Sequence, residues 1–123
     1  MQQLHGRHVL VVEDEYFLAN EIEDELDQEG AVVFGPFASM EEVQDSVLDM
    51  TEAAILNVRV RDGDVYPLAV RLRERGIPFV FATANDPHTE PREWQNSPWL
   101  TKPYVQGRIT TLLANALSGG RIA

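Results

Sequence analysis

The sequence predicts an α/β fold in which a parallel sheet is covered by helices on both faces. Short apolar runs alternate with amphipathic stretches five times along the chain, the pattern of strand–helix units. Runs such as Val9-Leu10-Val11-Val12 and Ala53-Ala54-Ile55-Leu56 are continuously apolar, as in strands buried on both sides. Three of the runs also end on polar residues, Glu13-Asp14, Asn57 and Thr83. In open α/β sheets ligands bind at the carboxyl ends of the strands.

The first strand is expected over Arg7 to Glu13. Helix one follows from Glu15 to Gln28, with Leu18, Ile22 and Leu26 recurring every fourth residue, Ala19 and Phe17 widening the stripe, and Gly30 as a stop. Ala31 to Phe34 reads as a second strand closed by Gly35-Pro36. Ser39 with Glu42 three residues on has the form of a capping box, so a helix with Val43, Val47 and Met50 inward is expected there. Strand three spans Ala53 to Val58, and Arg61-Asp62-Gly63-Asp64 is a turn-rich loop. Helix three runs from Val65 to Arg75 with Leu68, Ala69 and Leu72 inward, and strand four from Ile77 to Thr83 with Phe79 and Phe81 in the core. Ala84 to Ser97 carries Pro87 and Pro91, so any helix there is short or irregular, and Trp94 is expected to pack. A short fifth strand from Pro98 to Thr101 leads to a last helix from Val105 to Leu117, ended by Ser118-Gly119-Gly120.

Composition narrows the function. A chain of 123 residues is the size of one domain, so a single domain over 1–123, with its core at about 7–117, is expected. The formal charge of -10 disfavours nucleic acid and anionic membrane as partners. No run is long enough to span a bilayer, the N-terminus lacks a signal pattern, and there is no cysteine, so a cytoplasmic location is expected and thiol chemistry is excluded. His5, His8 and His88 have no ligand spacing and read as surface or strand-end residues.

If the strands lie side by side, Glu13, Asp14, Asn57, Thr83 and Lys102 meet in one crevice. Each signal alone is bland. Acids after a strand serve as helix-cap charges, and Lys102-Pro103 alone is a loop before a helix. Together, in this order and spacing, they resemble the receiver domain of bacterial two-component response regulators over about Arg7 to Leu117. The resemblance implies a flavodoxin-like (βα)5 fold, a doubly wound sandwich with a five-stranded parallel sheet in the order 2-1-3-4-5.

It also implies roles. Glu13 and Asp14, with the backbone carbonyl of Arg59, match the Mg²⁺ ligands, Thr83 and Lys102 match the groups that contact the phosphoryl group, and Lys102-Pro103 matches a bond commonly cis in the family. Trp99 stands where a Tyr or Phe usually switches rotamer. Asn57 stands at the phospho-acceptor position, where the family has aspartate. A carboxamide is a poor nucleophile and brings no anion, so the expected Mg²⁺ site, with Asn57 as a neutral member, is weakened.

The expectation is therefore a phosphorylation-independent pseudo-receiver, not an enzyme, acting as an interaction module in a phosphorelay. The alternative is an ordinary phospho-accepting regulator with an engineered Asp-to-Asn block at 57, and a small flavodoxin-like enzyme is less supported because no Gly-rich phosphate loop follows strand one. Asp62 and Asp64 lie too far along their loop to replace the acceptor. Expected partners are a histidine kinase, a phosphotransfer protein or another signalling protein, with a homodimer through the helix 4–strand 5–helix 5 face. Trp99, Tyr104 and Arg108 are the residues expected on that switch and partner surface. With no linker or DNA-binding region in view, a single-domain regulator or an excised receiver is expected.

Overall fold

The computed structural model describes residues 3–119. Gly120, expected to help end the last helix, and the other residues at 1, 2 and 121–123 lie outside the described residues. The central sheet has five strands, β1 (His8–Val12), β2 (Val32–Phe37), β3 (Ala53–Asn57), β6 (Phe79–Thr83) and β7 (Trp99–Thr101). They are parallel and lie in the order β2-β1-β3-β6-β7. Counted along the sheet strands alone, this is the order 2-1-3-4-5 of a flavodoxin-like fold. Two further strands, β4 (Arg59–Val60) and β5 (Gly63–Asp64), form a small antiparallel hairpin where a plain loop was expected.

Successive strand residues point to opposite faces, and the core divides accordingly. Leu10, Val12, Ala54, Leu56 and Phe81 face one layer with Leu48 of α2 (Asp45–Met50) and Leu68, Ala69 and Leu72 of α3 (Tyr66–Glu74). Val9, Val11, Ala53, Ile55, Val80, Ala82 and Leu100 face the other with Ile22 and Leu26 of α1 (Tyr16–Gln28) and Ile109 and Leu113 of α4 (Arg108–Leu117). The core reaches further toward the N-terminus than expected, because Leu4 is also buried.

Three details depart from the sequence reading. β2 runs through Gly35-Pro36 rather than stopping there, with one extra residue opposite the stretch from Leu10 to Val12. A Cβ at Gly35, at φ +100°, would lie 2.7 Å from the Val11 carbonyl oxygen, so this close crossing requires glycine. Ser39 does not cap α2, which begins six residues later at Asp45. Instead the Asp62 carboxylate accepts from Met40 N and Glu41 N at 2.9 and 3.1 Å, and Glu42 accepts from Ala38 N. The late start shifts the helix phase, so Leu48 is buried and Met50 is 57% exposed. Phe17 is 76% exposed, outside the buried stripe of α1. The segment after β6 agrees with the sequence reading: two 3₁₀ turns, Pro87–Thr89 and Arg92–Trp94, stand there in place of a regular helix, as expected of a stretch interrupted by prolines.

Candidate functional site

The carboxyl ends of β1, β3 and β7 bring Glu13, Asp14, Asn57 and Lys102 together, because these strands are parallel and β3 lies beside β1. Lys102 Nζ donates to Glu13 Oε1 at 3.1 Å and to Asn57 Oδ1 at 2.9 Å. On its other side, the Asn57 amide donates from Nδ2 to the Arg59 carbonyl at 2.5 Å and, over a long 3.4 Å, to Asp14 Oδ1. Glu15 N donates to Glu13 Oε2 at 3.1 Å. The amide orientation follows from these partners, since only an oxygen can face the ammonium. The Lys102-Pro103 peptide is cis.

Glu13 is buried, with 3% of its surface exposed. Burial raises its pKa above the usual carboxylate value and Asp14 adds to the rise, while the charge of Lys102 and the hydrogen bonds from Glu15 N and Lys102 pull it back. Thr83 is buried but outside the lysine network: its Oγ1 accepts from Asn85 N at 3.0 Å, and its carbonyl accepts from Lys102 N at 2.8 Å.

A hard divalent cation needs several oxygen ligands, and the oxygens at hand in the crevice are those of Glu13, Asp14 and the Arg59 carbonyl. Yet Arg59 O and Asp14 already face the amide N–H₂ of Asn57, and Glu13 faces an ammonium. Among the described residues no group of three or more His, Cys, Asp or Glu side chains could hold a metal. The oxygens suit a metal; the protons now pointing at them do not.

The second cluster lies beside β6. The Trp99 indole N–H donates to the Trp94 carbonyl at 3.1 Å, and its ring packs 4.7 Å from that of Phe81. Trp94 is buried as expected, stacked on Tyr66 at 5.8 Å, with the Arg73 guanidinium 4.5 Å over its ring. Tyr66 donates to the buried Glu90 at 2.6 Å, and Gln95 Nε2 donates to the Glu90 carbonyl at 2.7 Å. Burial first, and Glu90 second, drive the Tyr66 hydroxyl pKa well up. Sequence reading missed Tyr66 and Glu90, which are 24 residues apart with no local pattern joining them. The only signal was a pair of tryptophans, Trp94 and Trp99, following Pro87 and Pro91.

Trp99 packs on the Phe81 layer and Tyr104 on the opposite layer with Ile109, while Arg108 is exposed. Asp64 pairs with Arg59 at 3.1 Å and Asp62 serves as a loop cap, so both acids have structural employment. No described helix is long and apolar enough to cross a membrane.

No family model and no curated protein matches the chain. Solved structures do. SdrG from Sphingomonas melonis Fr1 is 32% identical, with 96% of this chain and 97% of that one covered at a TM-score of 0.73. The PhyR response regulator receiver domain from Erythrobacter litoralis is 22% identical over 93% of this chain and 92% of that one, at 0.79. The receiver domain of the sensor histidine kinase PA1611 from Pseudomonas aeruginosa, solved with magnesium in its active-site cleft, is 22% identical over 92% and 98%, at 0.78. Sheet order, crevice geometry and these likenesses agree: the chain belongs to the response regulator receiver domain family.

Proposed function

We propose that this receiver is a phosphorylation-independent interaction module, with residues 1–123 acting as one domain. The observation that carries the reading is the state of Asn57. Its oxygen accepts from Lys102 and its nitrogen donates to the Arg59 carbonyl, so neither polar atom is a free nucleophile. Phosphoryl transfer to a receiver needs an anionic oxygen in line with the donor, and a neutral amide offers none. The same contacts support a weakened Mg²⁺ site at Glu13, Asp14 and the Arg59 carbonyl, because a cation must first displace the amide protons. When bound, Mg²⁺ would neutralise the acids and polarise oxygens. Without it, Lys102 and Asn57 supply the balancing positive charge and dipole.

The partners proposed are a histidine kinase, a phosphotransfer protein or another signalling protein, or a second copy of the chain. NtrC4's receiver domain was solved as a dimer, which supports the last. The net charge of -10 argues against nucleic acid and anionic membranes. The retained lysine and acids favour one second reading, a phospho-accepting receiver blocked by an Asp-to-Asn change.

Intact-mass measurement after incubation with acetyl phosphate and Mg²⁺ tests both, using the chain as given and Asn57→Asp. An adduct on neither protein supports the module. An adduct on Asn57→Asp alone, accompanied by changed partner binding, supports the blocked receiver. An adduct at the crevice of the unsubstituted chain overturns the assignment of Asn57.

A further inference from the structure

The two faces of the sheet at its β2 edge are covered unequally. Val33 turns toward α1, a helix of 13 residues, whereas Val32 and Phe34 turn toward the layer of α2, a helix of only 6. α2 follows the loop held by Asp62, and its Asp45 and Asp49 reach across to α3, pairing with Arg71 at 2.5 Å and Arg75 at 3.3 Å. Val47 and Met50 lie away from that side of the helix and so turn from α3 toward β2. At the foot of the same layer His8 stacks on Phe34 with ring centroids 5.2 Å apart, stands in register with Val32, and has its Nδ1 3.1 Å from the Met50 carbonyl. These side chains make one apolar corner, with Met50 and Val32 (44%) exposed and Val47, Phe34 and His8 half-buried. Strand pairing does not cover it: Pro36 has no N–H to give, and the irregular register between Leu10 and Val12 bends the edge.

Charge selects what can meet this corner. A chain of net charge -10 repels its own copies over most of its surface. Tyr16 and Phe17, also exposed, open a helix that carries acids and no basic residue. The charges nearest in chain to His8 and Met50 are instead balanced, Arg7 pairing with Glu52 at 3.2 Å and Asp49 with Arg75. From this combination we infer that the β2–α2 corner is a contact face for a second copy of the chain, packed on itself about a two-fold axis. Met50 and Val32 of each copy cover the Phe34 and His8 rings of the other, and Arg7 comes to lie against the other copy's Glu52. A core of five side chains is smaller than the roughly 800 Å² per partner of a stable complex, so the dimer is weak and forms at high local concentration. This face serves the second copy proposed above as a partner, and it stands apart from the state of residue 57.

Sedimentation velocity and ¹⁵N amide shifts of the full chain, from about 20 μM to about 1 mM, provide the test. The average mass should rise with concentration, and shifts should gather at residues 8, 32, 34, 47 and 50. Met50→Glu sets like charges across the axis and should weaken association about tenfold, and Met50→Gln about threefold. Neither should change thermal unfolding of the dilute protein, because Met50 is exposed. Val105→Glu, on an exposed apolar residue between β7 and α4, should leave association unchanged. Raising NaCl from about 20 to about 500 mM should tighten it about threefold, since salt screens the net repulsion and spares the apolar contact. A monomer throughout would overturn the second copy as occupant and leave the corner to a different protein. Weakening by salt, or loss in Val105→Glu with Met50→Glu unaffected, would overturn this face; the latter moves the second copy to the β7 side and leaves that partner in place.

Discussion

The crevice and the segment beside β6 solve the same problem, a polar chain end against a buried sheet, in opposite ways. The crevice uses charge: one lysine holds a buried acid and an amide, and a single atom type at residue 57 decides its chemistry. The Asn85 to Ser97 segment uses bulk: Trp94, Trp99, Tyr66 and Phe81 pack around two 3₁₀ turns, with one carboxylate, Glu90, buried at the edge. A charged network can be reversed by one proton or one cation. An aromatic cluster changes only by repacking, and Trp99 is held in this one by its hydrogen bond to the Trp94 carbonyl.

Removing the aromatic anchor should have the largest effect. Trp94→Ala is expected to cost about 3–5 kcal/mol in urea unfolding, with faster amide exchange confined to residues 85–98. If the Lys102 contacts loosened equally, the two regions would be one unit and the contrast would fail. Lys102→Met should come next, at about 3 kcal/mol, because it strands the buried Glu13. The sign with pH follows from the raised pKa of Glu13. A raised acid holds its proton more tightly in the folded state, so its contribution is most favourable below the unfolded pKa and is lost as pH rises through the folded value. The Lys102→Met deficit should therefore shrink as pH falls and Glu13 protonates. A deficit independent of pH would remove the crevice from the electrostatic side of the comparison.

Tyr66→Phe should cost less, about 1–2 kcal/mol, by taking a donor from buried Glu90. Arg59, 3.8 Å from that carboxylate, is placed to compensate in part. The smallest effect belongs to the exposed acids. Hydrogen bonds from Met40 N and Glu41 N lower the pKa of Asp62, and Arg71 does so for Asp45. Their contribution is present above the unfolded carboxylate pKa of about 4 and lost as pH falls below it. Asp62→Asn should flatten that acid limb of the stability profile slightly; an unchanged limb would show that the β2–α2 loop does not rely on it.

Much of the fold was legible along the chain because it is written in local periods. The continuous apolar runs marked the sheet strands, and the four-residue recurrence of Ile22 and Leu26 marked the inner side of α1. Reading failed where a partner came from far away in sequence. The Ser39–Glu42 pattern had the form of a cap, but the Asp62 carboxylate, over twenty residues later, takes the nearby N–H groups and the helix starts at Asp45. Phe17 was assigned to the core from its neighbours in the stripe, and the turn of α1 leaves it in solvent.

The sequence by itself determined which residue types stand at the strand ends, and above all that position 57 carries an amide. Residue identity is covalent and needs no folding to be read. The tertiary structure decided what those groups do: that the amide faces Arg59 with its nitrogen and Lys102 with its oxygen, that Trp99 is tied to Trp94, and that Tyr104 is buried without a partner. Orientation and burial depend on chain segments many residues apart arriving at one place, and no local period records that.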